Sequence, residues 1–362
     1  MATSESDAAS TDVGRRTDFQ ETVRGGLTAA VLLPHTYPEP TNSLGQLLED
    51  TRRNVDRALA QATVTPSQLD LLEERLLWLR QQYIFTAPVP MLSLLLTEMA
   101  EVTTLATQRQ PAVLQIRLSE MTALLSTLVA DALMKLGELQ QSHAWYATAR
   151  TAADDSGNLE LRARVRAQAA MLPYYYGPLG SAVELARDAR LLSRHRPTPT
   201  SAFAAAAEAR ALARQGDEAG AVAAMQFARR DFDRSEPSSS DDAFAFPERR
   251  LLLYLSGALT FLGRNRDARA VQQQALSLYP DDSGIDPALL RLEEAICLAQ
   301  DHSPTEACQL AAATYLNLPE EHRTPILGAR ARNVIDVLPP AIRAARAARE
   351  LGEILQLPSA PR

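Results

Sequence analysis

The chain has 362 residues, a net charge of −7 and a pI near 5.4, so the broad basic face that duplex nucleic acid demands is not the first expectation. Hydrophobic residues reach 46% but aromatics only 5%, with Ala and Leu dominant, which favours close helix-on-helix packing, and no alternating β-branched runs suggest a sheet. Positive charge is nearly all arginine, with Lys135 the single lysine, so any anion contact would use planar guanidinium forks.

Residues 1–20 are rich in Ser, Thr and Asp without apolar periodicity and are expected to be disordered. Arg15-Arg16 precede the apolar run Leu27 to Leu33, a faint likeness to a twin-arginine export signal. Asp18 and Glu21 interrupt it and no cleavage site follows, so a cytoplasmic protein is expected. Pro34, Pro38 and Pro40 make an extended connector, which closes a first segment at 1–43. Residues 44–110 read as N-terminal helices. One covers Leu44 to Gln61; another starts at Thr65-Pro66 and carries Leu69, Leu72, Leu76 and Leu79 at helical spacing; Pro88 and Pro90 open a third. No segment approaches the roughly 18 uninterrupted apolar residues of a membrane span.

From Pro111 onward a small-residue turn recurs. Gly137, Gly177, Gly216 and Gly263 lie 40, 39 and 47 residues apart, and His302 stands at the glycine position of a weaker fifth copy. Five residues after each comes Ser142, Ala182, Ala221, Ala268 or Ala307, and seven further on Ala149, Ala189, Ala228, Ala275 or Thr314. Glycine can take a left-handed backbone at a helix end, and the small residues let two helices approach closely. A period of this size predicts stacked helical hairpins over 111–320, closed by capping helices and a tail over 321–362. The expected fold is an all-α superhelix of such hairpins. The polar break Ser235 to Asp242 accounts for the one long spacing, as a surface insertion or a flap over a groove.

This turn pattern resembles a divergent tetratricopeptide repeat. A wider likeness rests on Gly14-Arg15-Arg16-Thr17-Asp18-Phe19, Gly26 to Pro34, Tyr83 with Thr86 to Met91, and Ala130-Asp131-Ala132 through Arg150-Thr151-Ala152. Their order resembles the C-terminal sensor portion of actinobacterial regulators whose N-terminus is a Cro/repressor-class helix-turn-helix. The fourteen residues before Arg15 are polar and too few for that module, so the family's DNA reading is not carried over. The resemblance implies a regulatory protein that acts on transcription or development indirectly. Its partner would be a peptide or protein in a concave groove; a receptor for a small signalling molecule or a passive scaffold are the alternatives, and a homodimer is possible.

Counting back from each turn puts Asp131, Arg164, Gln168, Met171, Tyr174, Tyr175, Phe203, Arg210, Arg250, Tyr254 and Glu293 on the inner side of successive first helices. Arg164, Gln168, Tyr174, Tyr175, Arg210, Arg250 and Tyr254 are the favoured groove residues, with the three arginines expected as a ladder for carboxylates. Of the consecutive tyrosines 174–176, one or two should be core and one should face the groove. The five histidines are scattered, and the chain has no HExxH, phosphate-cradling glycine loop or nucleophile elbow, so neither catalysis, metal nor cofactor is expected. Cys297 and Cys308 fit no zinc or redox spacing and should be buried on adjacent helices.

Overall fold

The computed structural model describes residues 64–193, 196–236, 242–279 and 284–356, together with Leu48, Thr51, Arg52 and Val55, which are helical. The expected disordered tail, the linker and nearly all of the helix proposed over Leu44 to Gln61 lie outside the described residues, as do positions 237–241 of the polar break. Met1–Gln61 and Ala62–Arg362 are separate compact units.

In the second unit, all regular structure among the described residues is helical. The helices are α1 (Pro66–Gln82), α2 (Pro88–Ala106), α3 (Ala112–Lys135), α4 (Leu139–Ser156), α5 (Leu159–Ala169), α6 (Met171–Tyr176), α7 (Leu179–Leu192), α8 (Pro199–Gln215) and α9 (Glu218–Arg234). After the break come α10 (Glu248–Phe261), α11 (Asn265–Ser277), α12 (Ile285–Gln300), α13 (Pro304–Asn317), a 3-10 turn at Glu320–His322, α14 (Pro325–Asp336), α15 (Pro340–Arg343) and α16 (Arg346–Ile354). Starts are chemically marked. Thr65 and Thr198 each form a reciprocal capping box, with Gln68 and Ser201, and proline follows each cap. Leu69, Leu72, Leu76 and Leu79 make the buried stripe of α1, each contributing about 1.5–3 kcal/mol by leaving water.

Consecutive helices pack as hairpins: α3 on α4, α5 and α6 on α7, α8 on α9, α10 on α11, α12 on α13. The first helix of a pair is buried nearly all round, as α8 is from Thr200 to Ala213 and α10 from Leu251 to Thr260. The second buries one stripe, as α9 does with Ala221, Ala224, Met225 and Ala228. Alanine lets α8 pack closely against α5, α7, α9 and α10 at once. Every small residue of the repeat pattern is buried, from Ser142, which donates to the Ala130 carbonyl at 2.8 Å, to Thr314.

The turns share one hydrogen-bond scheme. Gly137, Gly216 and Gly263 have φ of 78°, 84° and 69°. The residue after each donates back to the helix it ends: Glu138 to Leu133, Asp217 to Leu212, Arg264 to Leu259. His302 does the same without being glycine, with φ of 62° and Ser303 donating to Leu298. Gly177 departs from the expectation. Its φ of −132° and ψ of −164° are extended. Pro178 follows it, lacks the N–H that would close the motif, and disfavours helical backbone in the residue before it. Glycine is needed there for another reason: a Cβ at 177 would sit 3.0 Å from the Pro173 Cα. Pro173 also divides the helix expected over 159–176 into α5 and α6 by removing the N–H that would reach Ala169. The final helix expected over 340–356 is likewise two pieces, α15 and α16.

The beginning and end of the unit meet. α2 touches the 3-10 turn, α3 touches α14, and Pro325 would lie 3.4 Å from a Cβ at Gly137. α2 also packs on α3 across the expected boundary at 110. By length and composition, α2 and α3 pass the test for a membrane-crossing helix, which the count of uninterrupted apolar residues does not reveal. Both contribute to the core, through Met91, Leu95, Met99 and Val102 in α2 and through Leu118, Met121, Leu125 and Val129 in α3.

Candidate functional site

The inner sides of the first helices enclose a cavity of about 470 Å³. α3 presents Leu128, Asp131, Met134 and Lys135; α5 and α6 present Gln168, Met171 and Tyr175; α8 presents Arg210; α10 presents Arg249, Arg250, Leu253 and Tyr254. The remaining walls come from Tyr83, Phe85 and Met91 around the α1–α2 turn, from Tyr279 with Asp286 and Leu289 at the start of α12, and from His322 and Ile326 at the C-terminal end.

A short strap, residues 242–247, forms one wall and separates the cavity from a small cleft. Arg80 grips both carboxylate oxygens of Asp242, and the Ala243 N–H donates to the Arg80 carbonyl at 3.0 Å. Arg80 and Arg164 stack over Phe244 at 5.4 and 5.8 Å. Phe246 packs against Phe203, Phe232 and Tyr254. Asp242, the last residue of the expected flap, is thus tied down.

Arg210 sits at the base of the cavity, 2% exposed. Its guanidinium lies over the rings of Tyr174, Tyr254 and Tyr175 at 4.1, 4.3 and 5.5 Å, and one Nη2 hydrogen goes to the Tyr175 hydroxyl at 3.0 Å. Its Nε is buried without an acceptor. Burial opposes the charge, but Tyr174, Tyr175, Tyr254 and Glu293 outweigh it, and the group stays protonated well above its ordinary range. Beneath it, Glu293 is bonded to Arg330 at 2.9 Å and accepts from the Ser256 hydroxyl. Gly257 makes room for this packing, since a Cβ there would meet Glu293 Oε1 at 2.9 Å and displace that carboxylate.

On the opposite wall Asp131 pairs with Lys135 at 2.8 Å and accepts from Tyr83 and, at 3.1 Å, from Gln168. Burial alone would raise its pKa; Lys135 and the hydrogen bonds from Lys135, Tyr83 and Gln168 reverse that and hold it below the usual carboxylate value. Arg250 donates from Nη1 to the carbonyls of Ala243 and Ala245 at 3.0 and 2.8 Å. Tyr254 donates to the Met171 sulfur at 3.0 Å, and Tyr279 to Asp286 at 3.3 Å.

Of the residues singled out in the sequence, Gln168, Tyr175, Arg210, Arg250 and Tyr254 meet at this cavity, together with Asp131 and Met171. Tyr174 is core, and among the described residues its hydroxyl has no partner. Arg164 and Phe203 face the cleft behind the strap, where Arg164 lies 3.6 Å from Glu160 and 3.5 Å from the Thr200 hydroxyl. Glu293 is buried under Arg210. The three arginines therefore do not form a ladder: Arg164 is behind the strap, Arg210 is boxed by rings, and Arg250 braces backbone carbonyls. Counting from the turns does not find the strap or the Tyr83 to Met91 wall; the aromatic pair Phe244 and Phe246 beside a polar stretch is the available signal. Cys297 and Cys308 are free and buried, on α12 and α13, and burial raises both thiol pKa values. Among the described residues no group of His, Cys, Asp or Glu could hold a metal ion. Compared with family models, with curated proteins and with solved structures, the chain finds no match.

Proposed function

We propose that this chain is a non-enzymatic receptor that holds a small organic ligand inside a tetratricopeptide-like superhelix and reports its presence to a regulatory partner. One observation carries the reading. Arg210 is a buried cation at the base of a cavity, an arrangement that burial of the charge penalises. A ligand acceptor offsets that penalty. The volume of about 470 Å³ falls in the range of small-molecule sites. The contact of α2 with Glu320–His322 favours an enclosed ligand over an extended protein segment lying in an open groove. The cytoplasmic, indirectly acting regulator rests on the family resemblance, and the acidic charge disfavours a duplex-binding face on this chain.

The test is native mass spectrometry of the full chain after incubation with a fractionated metabolite library, repeated on Leu253→Trp, which places an indole in the cavity. A one-to-one adduct on the wild type that the variant loses supports the reading. An adduct kept by the variant, or none across the library with no thermal stabilisation, overturns it.

A further inference from the structure

The cavity's charge is uneven. Asp131 is matched by Lys135, Asp242 by Arg80, and Glu293 beneath the floor by Arg330. Among the described residues of the wall this leaves Asp286 against Arg210 and Arg250. Among the described residues the lining of this cavity in an acidic chain thus carries one more cation than anion.

The donors are also unevenly used. Arg210 gives one hydrogen bond, to Tyr175, of the five its guanidinium can make, and its buried Nε gives none. Arg250 directs Nη1 to backbone carbonyls, and among the described residues its Nε and Nη2 have no acceptor. The two arginines come from adjacent helices, α8 and α10, and Tyr254 lies within electrostatic reach of both. Around them the walls are flat and apolar: Tyr175, Tyr254, Leu253, Leu289, Met134 and Met171.

Together these features specify a ligand. We propose that the cavity takes an organic carboxylate with a flat apolar body. The carboxylate bonds Arg210, with Arg250 as the second cation, and the body packs among the tyrosine rings and methionines. The two Nη groups of a guanidinium, side by side, match the two oxygens of a planar carboxylate. Aromatic faces and polarizable sulfur suit a ring system. A neutral ligand would leave the Arg210 charge without a counter-ion, and a cationic one would face repulsion.

The inference rests on the receptor reading and deepens it. Its test uses the full chain and three probes of one shape: 2-naphthoate, the neutral 2-naphthamide and the cationic 2-naphthylmethylamine, measured by calorimetric titration. The carboxylate should bind at least roughly tenfold tighter than the amide, because charge-assisted bonds to the guanidinium are made only with the anion. Arg210→Met should abolish the preference, and Arg250→Met should reduce it. Circular dichroism establishes whether each variant is folded; should Arg210→Met not fold, Arg250→Met decides. Equal binding of acid and amide, or a preference unchanged in a folded arginine variant, overturns the anion assignment and leaves the receptor reading standing. Absence of binding by all three probes overturns both.

Discussion

Replacing Glu293 with Gln tests how the floor of the cavity is held. The Glu293 and Arg330 side chains are each 3% exposed and lie 2.9 Å apart. At that distance an effective dielectric of about 20 gives roughly 6 kcal/mol of attraction, set against the burial of both ions. Gln keeps the shape and can still accept from the Ser256 hydroxyl, but it leaves Arg330 buried without its counter-ion and withdraws the carboxylate that favours the Arg210 charge. Breaking one side of a buried pair costs about 3–5 kcal/mol. Urea unfolding followed by circular dichroism should show the midpoint falling by that equivalent at constant slope. The double variant Glu293→Met with Arg330→Met should recover most of the loss, since an apolar replacement removes both desolvation penalties. A loss below about 1 kcal/mol, the size expected of an exposed pair, would refute the reasoning.

A double-mutant cycle on Arg80→Ala and Asp242→Asn should give a coupling of about 1–2 kcal/mol, because the pair is two-pronged and mostly buried; zero coupling would mean that the strap is held by its phenylalanines alone. Gly177→Ala should destabilise by about 1–3 kcal/mol through the contact with Pro173, whereas His302→Gly should stabilise by about 1 kcal/mol by relieving a left-handed residue; thermal melts showing the reverse order would contradict the two turn descriptions. Burial raises Tyr254, Tyr175 and Tyr279 above the ordinary tyrosine value and pushes Tyr176 up to about 12. Between pH 10 and 12 the unfolded chain loses these protons first, so stability should fall as pH rises through that window. Tyrosinate absorbance that reaches the full amplitude of the nine tyrosines near pH 10 without unfolding would show these hydroxyls to be accessible.

The hairpin order is legible in the sequence because each turn carries a local chemical mark. His302 falls into the glycine role from spacing alone, since Ala307 and Thr314 follow at the right intervals. Gly177 escapes the same rule because spacing identifies a turn position and not the backbone state; Pro178, next in sequence, determines that state. Helical counting brings Asp131, Gln168, Tyr175, Arg210 and Tyr254 to one cavity, because periodicity fixes which side of a helix a residue occupies. It does not reveal that Arg250 braces the strap, or that Tyr83 and His322 supply walls. Those features depend on how segments meet in three dimensions, and no local pattern encodes them.

The meeting of α2 with the 3-10 turn and of α3 with α14 has a consequence for how this architecture can change over generations. An open hairpin array tolerates the gain or loss of a unit, because each unit needs only its neighbours. Here Gly137 and Pro325 must arrive at the same place from distant parts of the chain, so the number of hairpins between them is constrained. One hairpin more or fewer would carry Pro325 past its seat beside Gly137. Variation is then channelled into segments such as the polar stretch before Asp242, where length can drift while the count of hairpins stays fixed.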